Sequence, residues 1–266
     1  MSKDQKAPPP SSSRSGEAGR HGVPADRSQG DLDKAPGTQP AAASPQAVAD
    51  FISKLKMLAP QTTTRRARLI FAMDATMSRQ PTWDMALALQ ADMFKVVKEV
   101  GGLDVQLVYF RGYDECSASK WVSDPEALAG LMTTVCCRGG NTQIRKVLSH
   151  ARREAEKDRV NALVYVGDSM EEGIDDLCGR AGELAILGVP VFLFQEGVDA
   201  RAERAFREIA RLTKGAWCRF DAGAAGQLRD LLQAVAVYAA GGRKALEMHG
   251  RQLSTRGARL LLEQLK

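Results

Sequence analysis

The chain has 266 residues, of which 44% are hydrophobic, and it carries a net charge of +5 at pH 7. This length supports one domain of about 200 residues with a full core, or two small domains. A membrane protein is disfavoured, because no run approaches the roughly 18 apolar residues of a spanning helix. A secreted disulfide-rich protein is also disfavoured, because no apolar signal region opens the chain and the five cysteines are odd in number. We therefore expect a cytoplasmic protein with reduced thiols and no membrane partner.

The first 43 residues have the composition of a disordered segment. They are rich in Pro, Gly, Ser and charge and have almost no large apolar side chain, so burial cannot offset the entropy lost on ordering. Ser44 and Pro45 are then typical of a helix start, and apolar residues recur at helical spacing until Pro60. We predict a disordered tail over 1–43 and a folded domain over 44–240 that begins with this amphipathic helix.

Apolar strands alternate with amphipathic helices through the folded part. In chain order, the predicted elements are a strand ending at Asp74, a helix near 82–100, a strand at 105–110, a strand around 120–122, helices near 125–135 and 142–157, a strand at 162–166, a helix near 175–187, a strand at 189–194, a helix near 201–212, a strand at 216–220 and a last helix near 227–240. Residues 111–120 are too few and too polar for a crossover helix, so the strand at 120–122 should run antiparallel at a sheet edge. The pattern predicts an α/β fold: a doubly wound, mostly parallel, Rossmann-like sheet of six strands with one antiparallel edge strand.

Oxygen-bearing side chains follow two of the predicted strands. Asp74, Thr76 and Ser78 occupy every second position of MDATMS, and a later strand ends in Gly167 and Asp168. Ligands bind beyond the carboxyl ends of strands in such sheets, at the point where strand order reverses. An ordinary capped turn has the same composition as MDATMS, but two acids at neighbouring strand ends would mark a site.

Residues 66–240 resemble a von Willebrand factor A domain of the intracellular bacterial type. The metal-ion-dependent adhesion site (MIDAS) of that family has Asp-x-Ser-x-Ser after the first strand, a Thr in a Gly-rich loop before a later helix, and an Asp after the fourth strand. The matching residues here are Asp74-x-Thr76-x-Ser78, Gly139-Gly140-Asn141-Thr142 and Asp168. Two positions depart from the pattern: Thr76 replaces the usual Ser but keeps the hydroxyl, and Ser169 stands where Gly is common.

The resemblance implies a bound Mg²⁺ or Mn²⁺, and hydroxyl and carboxylate oxygens are ligands that both ions accept. It implies that Thr76, Ser78 and Thr142 contact the ion directly or nearly so. Asp74 and Asp168 would act directly or through water. It also implies a non-enzymatic adaptor, in which an exposed Asp or Glu of a protein partner completes the coordination, as in complexes with ATPases or chaperones.

Other residues near this predicted site are candidates for further roles. Candidate contacts with a partner at the rim of the site are Glu171, Glu172, Tyr113 and Arg138. A thiol cluster, acting as a redox sensor or a second metal site, would be formed by Cys116, Cys136 and Cys137. Small half-buried thiols without special chemistry are the commoner case.

A haloacid-dehalogenase-like phosphotransferase is the alternative function. That family places a nucleophilic Asp after the first strand, and a Gly-Asp pair with a further acid after a later strand. Asp74 fits the first position, and Gly167-Asp168 with Glu171 and Glu172 fits the second. Most phosphatases of that family have a second Asp two residues after the nucleophile to protonate the leaving group, and here that position is Thr76. The Gly-Gly-Asn-Thr loop and the two helix-strand units after Asp168 favour the A domain.

Residues 241–266 form a basic extension, with six Lys or Arg and two Asp or Glu from Arg243 onward. Residues 54–68 are a second basic segment. Such charge can bind an anionic partner or nucleic acid, but no aromatic side chains interleave with it as stacking on bases requires. We expect a basic helix that packs on the domain or is presented to a partner, and no nucleic-acid ligand.

Overall fold

The computed structural model of the chain describes residues 66–98, 100–221, 224–253 and 256–265. The predicted disordered tail and the predicted helix between Ser44 and Pro60 lie outside these residues. Within the described part of the chain, no helix is both long enough and apolar enough to cross a membrane.

Six strands form one sheet in the order β3-β2-β1-β4-β5-β6. They are β1 Ala67–Asp74, β2 Leu103–Arg111, β3 Glu115–Val122, β4 Ala162–Gly167, β5 Val191–Glu196 and β6 Ala216–Phe220. All neighbouring pairs are parallel except β2 and β3, and β3 lies at the edge. The predicted doubly wound sheet with one antiparallel edge strand is confirmed.

The edge strand β3 is longer than the sequence pattern predicted. Its pairing with β2 extends from Val122 beside Val105 to Glu115 beside Arg111. The reversal needs only residues 112–114, because Gly112 adopts a positive φ of 61° that few other residues tolerate. The polar residues that resembled a loop therefore belong to a strand with one face toward solvent.

Helices cover both faces of the sheet. They are α1 Gln80–Val96, α2 Pro125–Thr133, α3 Ile144–Lys157, α4 Ile174–Ile186, α5 Ala200–Thr213, α6 Ala225–Leu253 and α7 Arg256–Gln264, and a short 3-10 turn, Met77–Arg79, precedes α1. Side chains of β1 alternate between the faces. Phe71 packs with α1, α2, α6 and α7, whereas Ile70 packs with α3, α4 and α5. The central strands are thus buried on both sides, which explains their continuous apolar sequences.

The basic extension at the C-terminus packs on the same domain. Helix α6 breaks at Gly242, close to the predicted end at 240, because its φ of 68° and ψ of −165° are not helical, and a second helical segment then runs to Leu253. Leu246, Ala258 and Leu261 are buried among the core residues of one sheet face. The extension is therefore held by its apolar side chains, and its charges lie outside that contact.

Candidate metal site

Two of the predicted site residues, Asp74 and Asp168, lie at the carboxyl ends of β1 and β4. These strands are parallel neighbours, with Met73 beside Val166. Asp74 and Asp168 therefore lie at neighbouring strand ends, as the predicted site requires. Strand β1 pairs with β2 on its other side, and the helices that lead to β2 and β4 lie on opposite faces of the sheet. This is the point of reversed strand order where sheets of this kind bind ligands.

Asp74 is almost completely buried, with 2% of its surface exposed. Its Oδ1 accepts a hydrogen bond from the backbone N–H of Thr76 at 2.7 Å. Burial raises the pKa of the carboxyl from 3.8 to about 6; hydrogen bonds from Thr76 lower it, nearby Asp168 raises it and Arg79 lowers it. An ionised carboxylate in this position is costly unless positive charge accompanies it, and a divalent cation would supply that charge.

The hydroxyls of the MDATMS loop lie side by side. The distance from Thr76 Oγ1 to Ser78 Oγ is 3.5 Å. Thr76 is buried beside Asp74, whereas Ser78 is exposed in the 3-10 turn. The side-chain oxygens of Asp74, Thr76 and Ser78 therefore form a row that runs from the buried end of β1 to the surface.

The Gly-rich loop between α2 and α3 is anchored by its backbone to the ends of β1 and β2. The N–H of Arg138 donates to the carbonyl of Ala75, and the N–H of Asn141 donates to the carbonyl of Gly112, both at 3.0 Å. Gly140 lies against the backbone of Gly112, where an added Cβ would be 2.0 Å from the carbonyl oxygen. This close approach requires a residue without a side chain.

Replacing Gly140 by alanine is expected to displace this loop, because the crowded atoms belong to backbone that cannot rotate away. At the adjacent Gly139 an added Cβ meets no atom within 4 Å, so Gly139→Ala is the matched control. We expect Gly140→Ala to cost about 1–3 kcal/mol of unfolding free energy and to weaken Mn²⁺ binding about tenfold or more. Thermal denaturation and Mn²⁺ titration would measure both effects, and equal behaviour of the two variants would contradict the crowding.

Glu171 and Glu172 accept hydrogen bonds from Thr142 and from the start of α3. Although Glu171 is exposed, its Oε2 accepts from the N–H and the hydroxyl of Thr142 at 3.0 and 2.6 Å. Glu172 accepts from the N–H groups of Ile144 (2.6 Å) and Arg145 (3.0 Å) in the first turn of α3, where an acid complements the helix dipole. Burial raises the pKa of Glu172, and these two hydrogen bonds oppose that rise. Both acids therefore hold the Thr142 loop and α3 in place in this structure.

The remaining sequence candidates are spread over different environments. Tyr113 is 84% exposed and Arg138 is also exposed, so both are accessible to a partner. Cys137 is buried on one face of the sheet and Cys116 packs on the other, so the structure does not bring these thiols together as a cluster with the exposed Cys136. Burial raises the pKa of both Cys116 and Cys137 to about 11, which disfavours their reactive thiolate forms.

Arg79 also belongs to this site, although it was not among the residues predicted from the sequence. Its Nη2 lies 3.1 Å from Asp168 Oδ2, its Nη1 lies 2.5 Å from Glu196 Oε2, and its Nε donates to Ser78 Oγ at 3.4 Å. The hydroxyl of Thr82 also donates to Glu196. Two signals were available: Arg79 directly follows the motif, and Glu196 is a third acid at the end of a central strand.

The donor set fits a hard divalent cation. It consists of two carboxylates, Asp74 and Asp168, with three hydroxyls on Thr76, Ser78 and Thr142, and oxygen donors of this kind suit Mg²⁺ or Mn²⁺. Within the described ranges no group of three or more His, Cys, Asp or Glu could hold a metal ion, so the fit depends on the hydroxyls. The contact of Arg79 with Asp168 and that of Glu171 with Thr142 must open if all five residues are to ligate an ion.

The sequence matches no protein-family model and no curated protein, but solved structures resemble the fold. An aerotolerance-related membrane protein from Bacteroides fragilis is 17% identical with a TM-score of 0.50, over 64% of this chain and 98% of that one. The pilus adhesin SpaC from Lactobacillus rhamnosus GG, in an open conformation, is 11% identical with a TM-score of 0.51, over 65% of this chain and 30% of the adhesin. Proximal thread matrix protein 1 from the mussel byssus, with a zinc-occupied MIDAS motif, is 18% identical with a TM-score of 0.51, over 64% of this chain and 45% of that one.

At these identities the likeness concerns the fold. The chain has the von Willebrand factor A-like fold that the sequence resemblance predicted. The match spans nearly the whole aerotolerance-related chain but less than half of the adhesin and of the matrix protein.

Proposed function

We propose that this chain, which has a von Willebrand factor A-like fold, is a metal-ion-dependent protein-binding module and not an enzyme. The observation that carries the proposal is the meeting of the MDATMS oxygens, Asp168 and the Thr142 loop at neighbouring strand ends. The zinc-occupied MIDAS motif in the mussel matrix protein supports the view that this fold can hold a divalent ion. The adhesin among the similar structures supports a binding role.

Each site residue would have a distinct role. Asp74 and Asp168 would supply the negative charge, and the Thr76 N–H keeps one oxygen of Asp74 oriented. Thr76, Ser78 and Thr142 would supply neutral oxygens that leave most of the charge of an ion uncompensated. A bound Mg²⁺ or Mn²⁺ would provide an electrophilic position for the carboxylate of an exposed Asp or Glu on a partner protein.

The surroundings of the site suit an acidic protein partner. Tyr113 and Arg138 are exposed on the loops that meet at this edge. Tyrosine and arginine are the side chains that contribute most often to binding energy at protein interfaces, and Arg138 complements an acidic surface. The partner we propose is a protein with an exposed Asp or Glu, such as a component of an ATPase or chaperone complex.

Replacing Thr142 by alanine is expected to weaken Mn²⁺ binding about tenfold or more, because the variant lacks one of the three neutral donors. Mn²⁺ titration followed by electron paramagnetic resonance measures this directly. Thr142→Ser keeps the hydroxyl and should bind as the wild type does. Thr134→Ala is the control, since its hydroxyl is exposed and donates to the carbonyl of Leu131 at the end of α2.

The same experiment separates the adaptor from a phosphotransferase. A phosphotransferase site would use Asp74 and Asp168 without Thr142, so Mn²⁺ would bind equally to wild type and Thr142→Ala. Both the wild type and Thr142→Ala should then hydrolyse an aryl phosphate, and Asp74→Asn should abolish that activity. Failure of the wild type to bind Mn²⁺ would overturn the metal-dependent proposal.

A further inference from the structure

A cavity of about 360 Å³ lies beside the edge strand, on the sheet face that α3 and α4 cover. Its polar lining consists mainly of the side chains of Arg145, Lys146, Arg153, Arg180, Ser117 and Ser149. The volume is at the lower end of the range for small-molecule sites. These residues are distinct from the five proposed metal ligands.

The positive charge around this cavity exceeds the acidic charge that pairs with it. Arg145 and Arg180 share Asp176, at 3.5 and 3.9 Å, and Arg180 also pairs with Glu183 at 3.4 Å. Lys146 pairs with Asp114. Arg153 makes no ion pair within the described part of the chain, and it is exposed. An anion would therefore find one guanidinium without an ion pair among the described residues, that of Arg153, beside three cations that already pair with carboxylates.

The uncharged groups of the lining provide hydrogen bonds without adding negative charge. His150 lies in the lining with its Nε2 2.8 Å from Gln106 Oε1, and burial lowers its pKa, which favours a neutral ring at pH 7. The thiol of Cys116 is protonated, because burial raises its pKa to about 11. Ser117 and Ser149 add hydroxyl donors.

The chemistry of the lining selects a compact anion. Guanidinium groups and hydroxyls match the several oxygens of a phosphate group, and Arg in particular binds two of them at once. No Phe, Tyr or Trp is among the described residues that line the cavity, so a nucleobase would have no ring to stack on.

We propose that this cavity between β3 and α3 binds a small phosphate-bearing anion, with Arg153 as the principal charged contact, independently of the metal site. The mouth of the cavity is open enough for Arg153 and Arg145 to remain in solvent without a ligand.

Titration of the full chain with inorganic pyrophosphate, at low salt and with EDTA present, tests this proposal. EDTA removes divalent ions, so that pyrophosphate cannot be captured through a metal. The wild type should bind one equivalent, and Arg153→Gln should weaken binding about tenfold or more. Ser149→Ala should weaken it by a smaller factor.

Arg152→Gln is the matched control. Arg152 neighbours Arg153 on α3 but pairs with Glu156 at 2.8 Å and Glu183 at 3.3 Å, and it does not line the cavity. Pyrophosphate should bind to this variant as it does to the wild type.

Three results would overturn the proposal. One is the absence of pyrophosphate binding to the wild type. Another is equal weakening by Arg152→Gln and Arg153→Gln, which would indicate a diffuse charge effect. The third is citrate binding as tight as that of pyrophosphate, which would show that the cavity does not select phosphate.

Discussion

Replacing Asp74 by asparagine is expected to stabilise the metal-free protein at about pH 8 and to remove its stabilisation by Mn²⁺. Burial raises the pKa of this carboxyl from 3.8 to about 6, so its ionised form costs the folded state on the order of 2–3 kcal/mol above that pH. Asparagine keeps an oxygen that can accept the Thr76 N–H and carries no charge. Asp74, the residue that would best attract a metal ion, thus lowers the stability of the fold when no metal ion is bound.

The sign of the pH dependence follows from the direction of this pKa shift. A folded-state pKa above the unfolded value means that the folded protein binds the proton more tightly. The contribution of Asp74 to stability is therefore fully present below about pH 4 and is lost as the pH rises through about 6. Wild type and Asp74→Asn should converge in stability at low pH and separate at high pH.

Urea denaturation in EDTA at about pH 4 and about pH 8 measures the difference. Mn²⁺ at roughly one hundred times its Kd should then stabilise the wild type by about 2.7 kcal/mol and leave Asp74→Asn unchanged. Asp84→Asn, at an exposed position of α1, is the control. A loss of stability in metal-free Asp74→Asn at pH 8 would show that the buried carboxylate is already compensated by the protein.

Replacing Arg79 by glutamine is expected to lower stability and raise the affinity for Mn²⁺. The side chain of Glu196 is only 10% exposed and that of Asp168 26% exposed, and Arg79 pairs with both. Removing one partner of a buried ion pair typically costs about 3–5 kcal/mol, because it leaves an uncompensated charge. The same change removes a cation beside Asp74 and frees Asp168, which should strengthen Mn²⁺ binding about tenfold or more.

A double variant separates these two effects of Arg79. Arg79→Gln with Glu196→Gln leaves no unpaired charge at the end of β5, so we expect it to recover most of the lost stability and to keep the higher Mn²⁺ affinity. Arg229→Gln is the control, because Arg229 pairs with Asp92 at 3.1 Å on the surface and such pairs contribute about 1 kcal/mol or less. Weaker Mn²⁺ binding by Arg79→Gln would instead mean that Arg79 positions Asp168 as a ligand.

The order and type of the main elements could be predicted from the sequence because their apolar patterns are local. Central strands such as β1, β4 and β5 are buried along nearly all of their length and therefore contain long apolar runs. Helices such as α3 and α5 bury one face and show helical spacing. The MDATMS spacing located the candidate site for the same reason, since its oxygens lie within one short turn.

Local pattern was a poor guide where the outcome depends on exposure or on how a segment packs in the tertiary structure. Strand β3 is half exposed, so its polar residues resembled a loop. A second helical segment begins after the break at Gly242, and its apolar residues reach the core. The break lies close to the predicted helix end, but the packing of Leu246 on the core could not be predicted from the local pattern.

The tertiary structure alone decided which groups hold the site residues. Arg79 meets Glu196 across 117 positions of sequence, and Thr142 meets Glu171 across 29. A sequence shows that Arg79, Glu171 and Glu196 are charged, but not which partner each side chain reaches. The pairing of Arg79 depends on the order of β1, β4 and β5 in the sheet. These parallel strands end at the same edge, so Arg79, which follows β1, reaches Asp168 after the adjacent β4 and Glu196 at the end of β5 beyond it.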